Sequence, residues 1–206
     1  MPAGNCLMGH IDGPDAMALA FMNSGGVNQM LGYTVPTWYG YAGWGCLDYF
    51  VEQPGRFTFT EAFFANHAAL IHRLTATENL GAGDKRGLLH DRDTVAFYGD
   101  PAWEARMAPQ PCAWEQTIEE REGVFTLQIA PKRGAASFEP ISRNGSQRGG
   151  RPIVQFLRAR VKDVQVLEGA DLRPVVTDDF ILVPNPGACD PAKRYRVAFR
   201  ATAVAR

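Results

Sequence analysis

A chain of 206 residues holds one large domain or two small ones, and 46% hydrophobic with 21% charged residues is the composition of a globular protein. Its formal net charge of −1 excludes a bulk field that would recruit nucleic acid or an anionic membrane. No apolar run approaches the ~18 residues of a membrane span, and the N-terminus lacks the basic region and apolar stretch of a signal peptide.

The charge is unevenly spread. Residues 1–110 carry 6 Lys+Arg against 11 Asp+Glu, whereas residues 111–206 carry 15 against 11. Opposite net charges of −5 and +4 predict two units, with the break near Met107–Pro111, where "APQP" interrupts the pattern. The cysteines, Cys6, Cys46, Cys112 and Cys189, include no C-x-x-C pair, so neither a metal site nor a cofactor is expected. Cys112 and Cys189 would pair in an exported protein, or are two unrelated thiols.

In chain order, "GNCLMGH" places Cys6 four residues before His10. "GPDAMALAFMNSGG" then reads as a helix. Pro14 suits the first turn, where its missing N–H is no loss, and Asp12 or Asp15 complements the positive end of the dipole. Ala16 to Met22 is apolar on every face, which predicts a buried helix, and Gly25-Gly26 supplies a left-handed exit. "VNQMLGYTV" is a β-prone run, read as an inner parallel strand.

"TVPTWYGYAGWGCLDYFVEQPG" is rich in aromatics and glycine and has no period, which predicts an irregular, functional loop. "FTFTEAFFANHAALIHRL" is a second helix. Thr58 and Glu61 have capping-box spacing; Phe63, His67, Leu70 and Leu74 form one stripe, and Phe64, Ala68 and Ile71 its neighbour. "NLGAGDKRG" reads as a loop, and "DTVAFYGDP" as a strand closed by a turn that Asp100 fixes through its side-chain acceptor.

From about residue 111 the pattern becomes all-β. "GVFTLQIAP", "RPIVQFLRARV", "VQVLEG", "FILVPNPG" and "YRVAFRATAV" are short strands, which predicts a β-sandwich of immunoglobulin-like size. "PKRGAASFEPISRNGSQRGGRP" reads as a mobile, solvated loop whose arginines are able to bind an anion.

Together, "GNCLMGHIDGPDAMALAFMNSGGVNQMLGYTVPTWYGY", "FTEAFFANHAALIHRL" and "TVAFYGDPAWEARM" resemble the C-terminal part of a gingipain-like cysteine peptidase catalytic domain. The resemblance implies a partial caspase-like α/β fold with a parallel sheet over residues 1–108 and an immunoglobulin-like β-sandwich over 111–206. It implies a Cys–His dyad with Cys6 as nucleophile, and a substrate pocket walled by Trp38 and shaped by Thr34, Tyr39 and Tyr41. Peptide or protein substrates and an exported bacterial location follow from the same resemblance.

Such peptidases carry the dyad histidine in a His-Gly motif upstream of the cysteine, and five residues precede Cys6 here. The expectation is therefore a C-terminal fragment, inactive alone, which takes the preceding segment as a second chain. His10 is read as supporting rather than as the base; His67 and His72 on a helix, and His90 in a loop, are read as packed or solvated. Cys46 is a rival nucleophile whose ordinary role is packing. Asp48 would pair with a basic substrate residue or simply lie at the surface. The competing reading is a non-catalytic binding or adhesion protein, with the α/β half as scaffold and the β-sandwich as docking module.

Overall fold

The structure is a computed structural model that describes residues 6–37, 39–145, 147–190 and 192–204. It is mixed α/β and divides into two compact units. The first comprises Met1–Pro111 together with Ile141–Gly149, the second Cys112–Pro140 and Gly150–Arg206.

In the first unit, α1 (Met17–Asn23) leads through Gly25 (φ +73°) into β1 (Gln29–Tyr33), whose five residues are all buried. Two short helices follow, α2 (Tyr41–Trp44) and α3 (Cys46–Phe50), then the long α4 (Phe59–Ala76), α5 (Ala82–Thr94) and β2 (Val95–Gly99). The capping box forms: the Glu61 N–H donates to Thr58 Oγ1 at 3.1 Å, and the Thr58 N–H donates to Glu61 Oε2 at 2.7 Å.

β1 and β2 pair antiparallel, with Gln29 opposite Gly99 and Tyr33 opposite Val95. This corrects the parallel strand expected from the sequence. α5 runs straight into β2 at the Tyr33 end of β1, so the returning strand has no route to enter from the other end. Successive strand residues face opposite sides. Met30 packs with Ala18 of α1, Met8 and Tyr98, while Phe97 meets Phe59 and Phe63 of α4 at ring separations of 5.7 and 5.3 Å. The two strands therefore lie between α1 and α4.

Other local expectations also change. In α1 only Ala18 is fully enclosed, and Met17 is 55% exposed, because one small two-stranded face covers one side of a helix. The aromatic stretch is irregular only in part, since α2 and α3 form within it, and "AGDKRG" lies in α5 rather than in a loop. On α4 the buried face is Phe59, Ala62, Ala65, Asn66, Ala69 and Leu70, while Phe64 and Ile71 are exposed. Small alanines let α4 approach its neighbours closely, and this decides the buried face over side-chain size.

The second unit contains only antiparallel pairings among its described residues. β3 (Trp114–Arg121), β4 (Val124–Pro131), β9 (Tyr195–Ala203) and β6 (Val161–Glu168) form one sheet in the order β3-β4-β9-β6. β5 (Ile153–Phe156), β8 (Phe180–Val183) and β7 (Val175–Val176) form a second, in the order β5-β8-β7. Leu127, Val197 and Phe199 of the first sheet share one core with Ile153, Ile181 and Val183 of the second. Phe125 lies opposite Phe199 with rings stacked at 5.1 Å. Glu122 and Gly123, both at positive φ, make the two-residue turn between β3 and β4.

Candidate functional site

Cys6 opens a turn over residues 6–9, beside the C-terminal end of β1, in which Cys6 and Leu7 are exposed and Met8 and Gly9 are buried. The Gly9 N–H donates to Tyr33 O at 3.0 Å, and the Tyr98 hydroxyl donates to Gly9 O. Backbone crosses backbone here. A Cβ on Gly9 would sit 2.5 Å from Gly32 O, and one on Gly32 would sit 2.6 Å from Gly9 N, so both positions need glycine. The turn thus seated, the Cys6 thiol donates to Thr37 O at 2.8 Å and the Thr37 N–H points at Sγ from 3.3 Å.

Thr37 belongs to the loop leaving β1, and the anchor of that loop is Asp91 of α5, whose relative exposure is zero. The Asp91 carboxylate accepts from the Ala42 N–H and from Thr37 Oγ1, the latter at 3.4 Å. Burial raises its pKa above the ordinary carboxylate value, and the neighbouring polar groups of Tyr33, Ala42, Gly40 and Thr37 oppose that rise. The Tyr33 hydroxyl accepts from Gly43 N at 2.8 Å; burial and then Asp91 hold its pKa far above the usual phenol value. Asn66 of α4 completes the anchoring by donating to the carbonyls of Tyr41 (2.7 Å) and Ala42 (2.9 Å).

The sequence-predicted residues fall in different places. Thr34 closes the β1–β2 ladder, its N–H and Oγ1 both donating to Thr94 O (2.8 and 3.0 Å), while its carbonyl lies 2.9 Å from His10 Nδ1. Tyr39 lies flat against Gly87, where a Cβ would meet its ring at 2.4 Å, and donates to Asp84 Oδ1 at 2.5 Å; burial, then Asp84, pushes its pKa up to about 12. Tyr41 is enclosed at 3% exposure, with the Arg73 guanidinium 5.5 Å from its ring centroid, and so supports the loop from beneath. Trp38 lies outside the described residues.

His90 stands on α5, not in a loop, with Nε2 3.5 Å from Pro36 O. Cys6, His10 and His90 thus contact one short loop through Thr37, Thr34 and Pro36. His67 is packed in α4 with its ring 4.4 Å from that of Phe63, and burial lowers its pKa. Cys46 has zero exposure and burial pushes its thiol pKa well up, which removes it as a rival nucleophile. Asp48 is neither a surface residue nor open to a basic substrate side chain: it is buried at 5% exposure and paired with Arg148. Asp100 fixes its turn as expected, accepting from Ala102 N at 2.8 Å.

Sequence reasoning missed Asp91 and Asn66. Each is a lone polar residue on a helix, distinguishable from a solvated one only by what packs against it. The loop predicted for much of α5 further hides the Asp91 signal.

The exposed Cys6 thiol is thus held by the carbonyl and the N–H of Thr37. Among the described residues no group of three or more His, Cys, Asp or Glu converges to hold a metal, and no helix is long and apolar enough to cross a membrane. No family model, curated protein or solved structure matches the chain.

Proposed function

We propose that the chain is part of a gingipain-like cysteine endopeptidase in which Cys6 is the nucleophile. The observation that carries this reading is the exposed Cys6 thiol seated on Thr37 in the loop leaving β1, beside Thr34 and leading to Tyr39. The order cysteine turn, α1, β1, aromatic segment, α4, β2 supports it. On this reading the first unit is the C-terminal part of a caspase-like domain and the second is an immunoglobulin-like sandwich.

In the reaction, the sulfur forms a thioester with the scissile carbonyl carbon as the C–N bond breaks. The thiol proton travels through a histidine to the leaving amine, and water then releases the acyl group. We assign that histidine to a segment outside residues 1–206, because the His10 and His90 rings are turned to the carbonyls of Thr34 and Pro36. On this reading the substrate is a peptide or protein.

The test is to assay the chain on Arg-, Lys- and Asp-containing fluorogenic peptides, alone and with the upstream coding sequence restored, against Cys6→Ala. Base catalysis is worth about 10²–10⁴ in rate, so Cys6-dependent cleavage should require the upstream sequence. Cys6-dependent turnover by residues 1–206 alone overturns the assignment of the base and moves it to His10 or His90. No Cys6-dependent cleavage in either form overturns the peptidase reading. It favours the binding-protein reading, for which the second unit offers a groove of about 510 Å³ lined by Ile118, Phe125, Leu157 and Ala201.

A further inference from the structure

We infer that Asp91 is the positioning residue for the Cys6 thiol and acts on it through Thr37. The inference rests on the reading of Cys6 as the reactive group, and its test is independent of peptide cleavage.

None of the described residues of 34–40 lies in a helix or strand. The placement of this segment comes from contacts with neighbouring elements, and at Thr37 the contact from α5 is Asp91. The carboxylate takes the N–H of Ala42 and the hydroxyl of Thr37. These partners grip the segment at Thr37 within it and at Ala42 just past its exit, in α2. At zero exposure no water competes for the carboxylate, which strengthens both bonds.

Thr37 is the member of this set that reaches the thiol. Its carbonyl accepts the Cys6 S–H at 2.8 Å and its N–H approaches the sulfur at 3.3 Å, so one residue engages both the proton and a lone pair of Cys6. With its hydroxyl on Asp91, Thr37 cannot shift without breaking a contact at each end. The chain of contact is Asp91 carboxylate, Thr37, Cys6 sulfur. The arrangement holds the sulfur against the loop and restrains its attack on an incoming electrophile. Loss of Asp91 should therefore free the thiol.

The test is the rate of iodoacetamide alkylation of Cys6 in the full chain, read by peptide mass spectrometry, with buried Cys46 as the reporter of intact packing. Asp91→Asn and Thr37→Val should each accelerate Cys6 alkylation by about fivefold, the factor one ordinary hydrogen bond is worth. Thr37→Ser, which keeps the hydroxyl, should restore the wild-type rate. The double variant should be no faster than the faster single variant, since both act on one path. Cys46 should stay protected throughout. A Cys6 rate within twofold of wild type in Thr37→Val or in folded Asp91→Asn overturns the inference, as does a double variant in which the two effects multiply. If Asp91→Asn exposes Cys46, Thr37→Val and its Thr37→Ser rescue decide the matter. A peptidase assay that fails while these rates change as stated overturns the proposed reaction and leaves the positioning intact.

Discussion

Arg148 and Asp48, a hundred residues apart in sequence, form a buried ion pair within the first unit. The Arg148 Nε donates to Asp48 Oδ1, its Nη2 donates to Glu52 Oε1 at 2.6 Å, and the Gly149 N–H donates to Asp48 Oδ2 at 2.7 Å. The Ser142 N–H adds a bond of 3.1 Å to Glu52 Oε1. Side-chain exposures are 16% for Arg148, 5% for Asp48 and 12% for Glu52. The arginine-bearing segment expected to be solvated therefore does bind an anion, and the anion is this chain's own pair of carboxylates.

Removing one partner from such a cluster leaves uncompensated buried charge, which costs about 3–5 kcal/mol. Arg148→Ala should lower the midpoint of thermal unfolding accordingly and speed tryptic cleavage after Arg143 in the released segment. An unchanged midpoint together with unchanged cleavage would show that 141–149 is held by something other than Arg148.

Glu52 gives the cluster a pH dependence. Burial, then the Asp48 carboxylate, raises the Glu52 pKa, while Arg148 and Ser142 pull it back. A carboxyl with a raised native pKa binds its proton more tightly folded than unfolded. Its stabilising contribution is fully present below the ordinary value of about 4.3 and is lost as pH rises through the raised native value. Glu52→Gln should thus compare more favourably with wild type at pH 7 than at pH 4. Melting curves of both proteins at the two pH values check this, and the opposite ordering would refute the raised pKa.

Cys6 and Cys46 should react very differently. Cys6 is exposed, whereas Cys46 has zero exposure and an ionisation opposed by burial and by Asp48. Iodoacetamide should label Cys6 first in the folded protein and reach Cys46 only on unfolding. Equal labelling would mean that α3 does not enclose Cys46.

The Gly9–Gly32 crossing should tolerate no side chain. Alanine at either position drives a methyl into backbone atoms at 2.5–2.6 Å, a contact that only a backbone shift relieves. Gly9→Ala and Gly32→Ala should each destabilise by about 1–3 kcal/mol, as overpacking does. They should also alter Cys6 alkylation, because the shift moves the turn that carries the thiol. Wild-type melting and labelling in both variants would exclude the close approach.

How much of this was legible beforehand varied with how local the cause is. Thr58 and Glu61 announced the start of α4 because a capping box is complete within four residues. Gly25 marked the exit from α1 because only glycine takes positive φ without strain. β4, β5, β6, β8 and β9 were legible from alternation and turn residues. β3 was overlooked although Trp114, Gln116 and Ile118 alternate inward and Glu122-Gly123 suits a tight turn; the run of acidic residues masked that pattern.

The sequence by itself carried the mixed α/β class and the elements whose signals lie within one turn or one strand. Tertiary structure alone decided that β1 and β2 run antiparallel, that the aromatic stretch closes into α2 and α3, and that Asp91, Asn66 and Arg148 are interior residues. These outcomes depend on partners far apart in the chain: Thr37 on Asp91 across 54 residues, Asn66 on Tyr41 across 25, Arg148 on Asp48 across 100. A buried polar residue and a solvated one are the same letter, and only the groups that folding brings against it supply the bonds that make burial affordable.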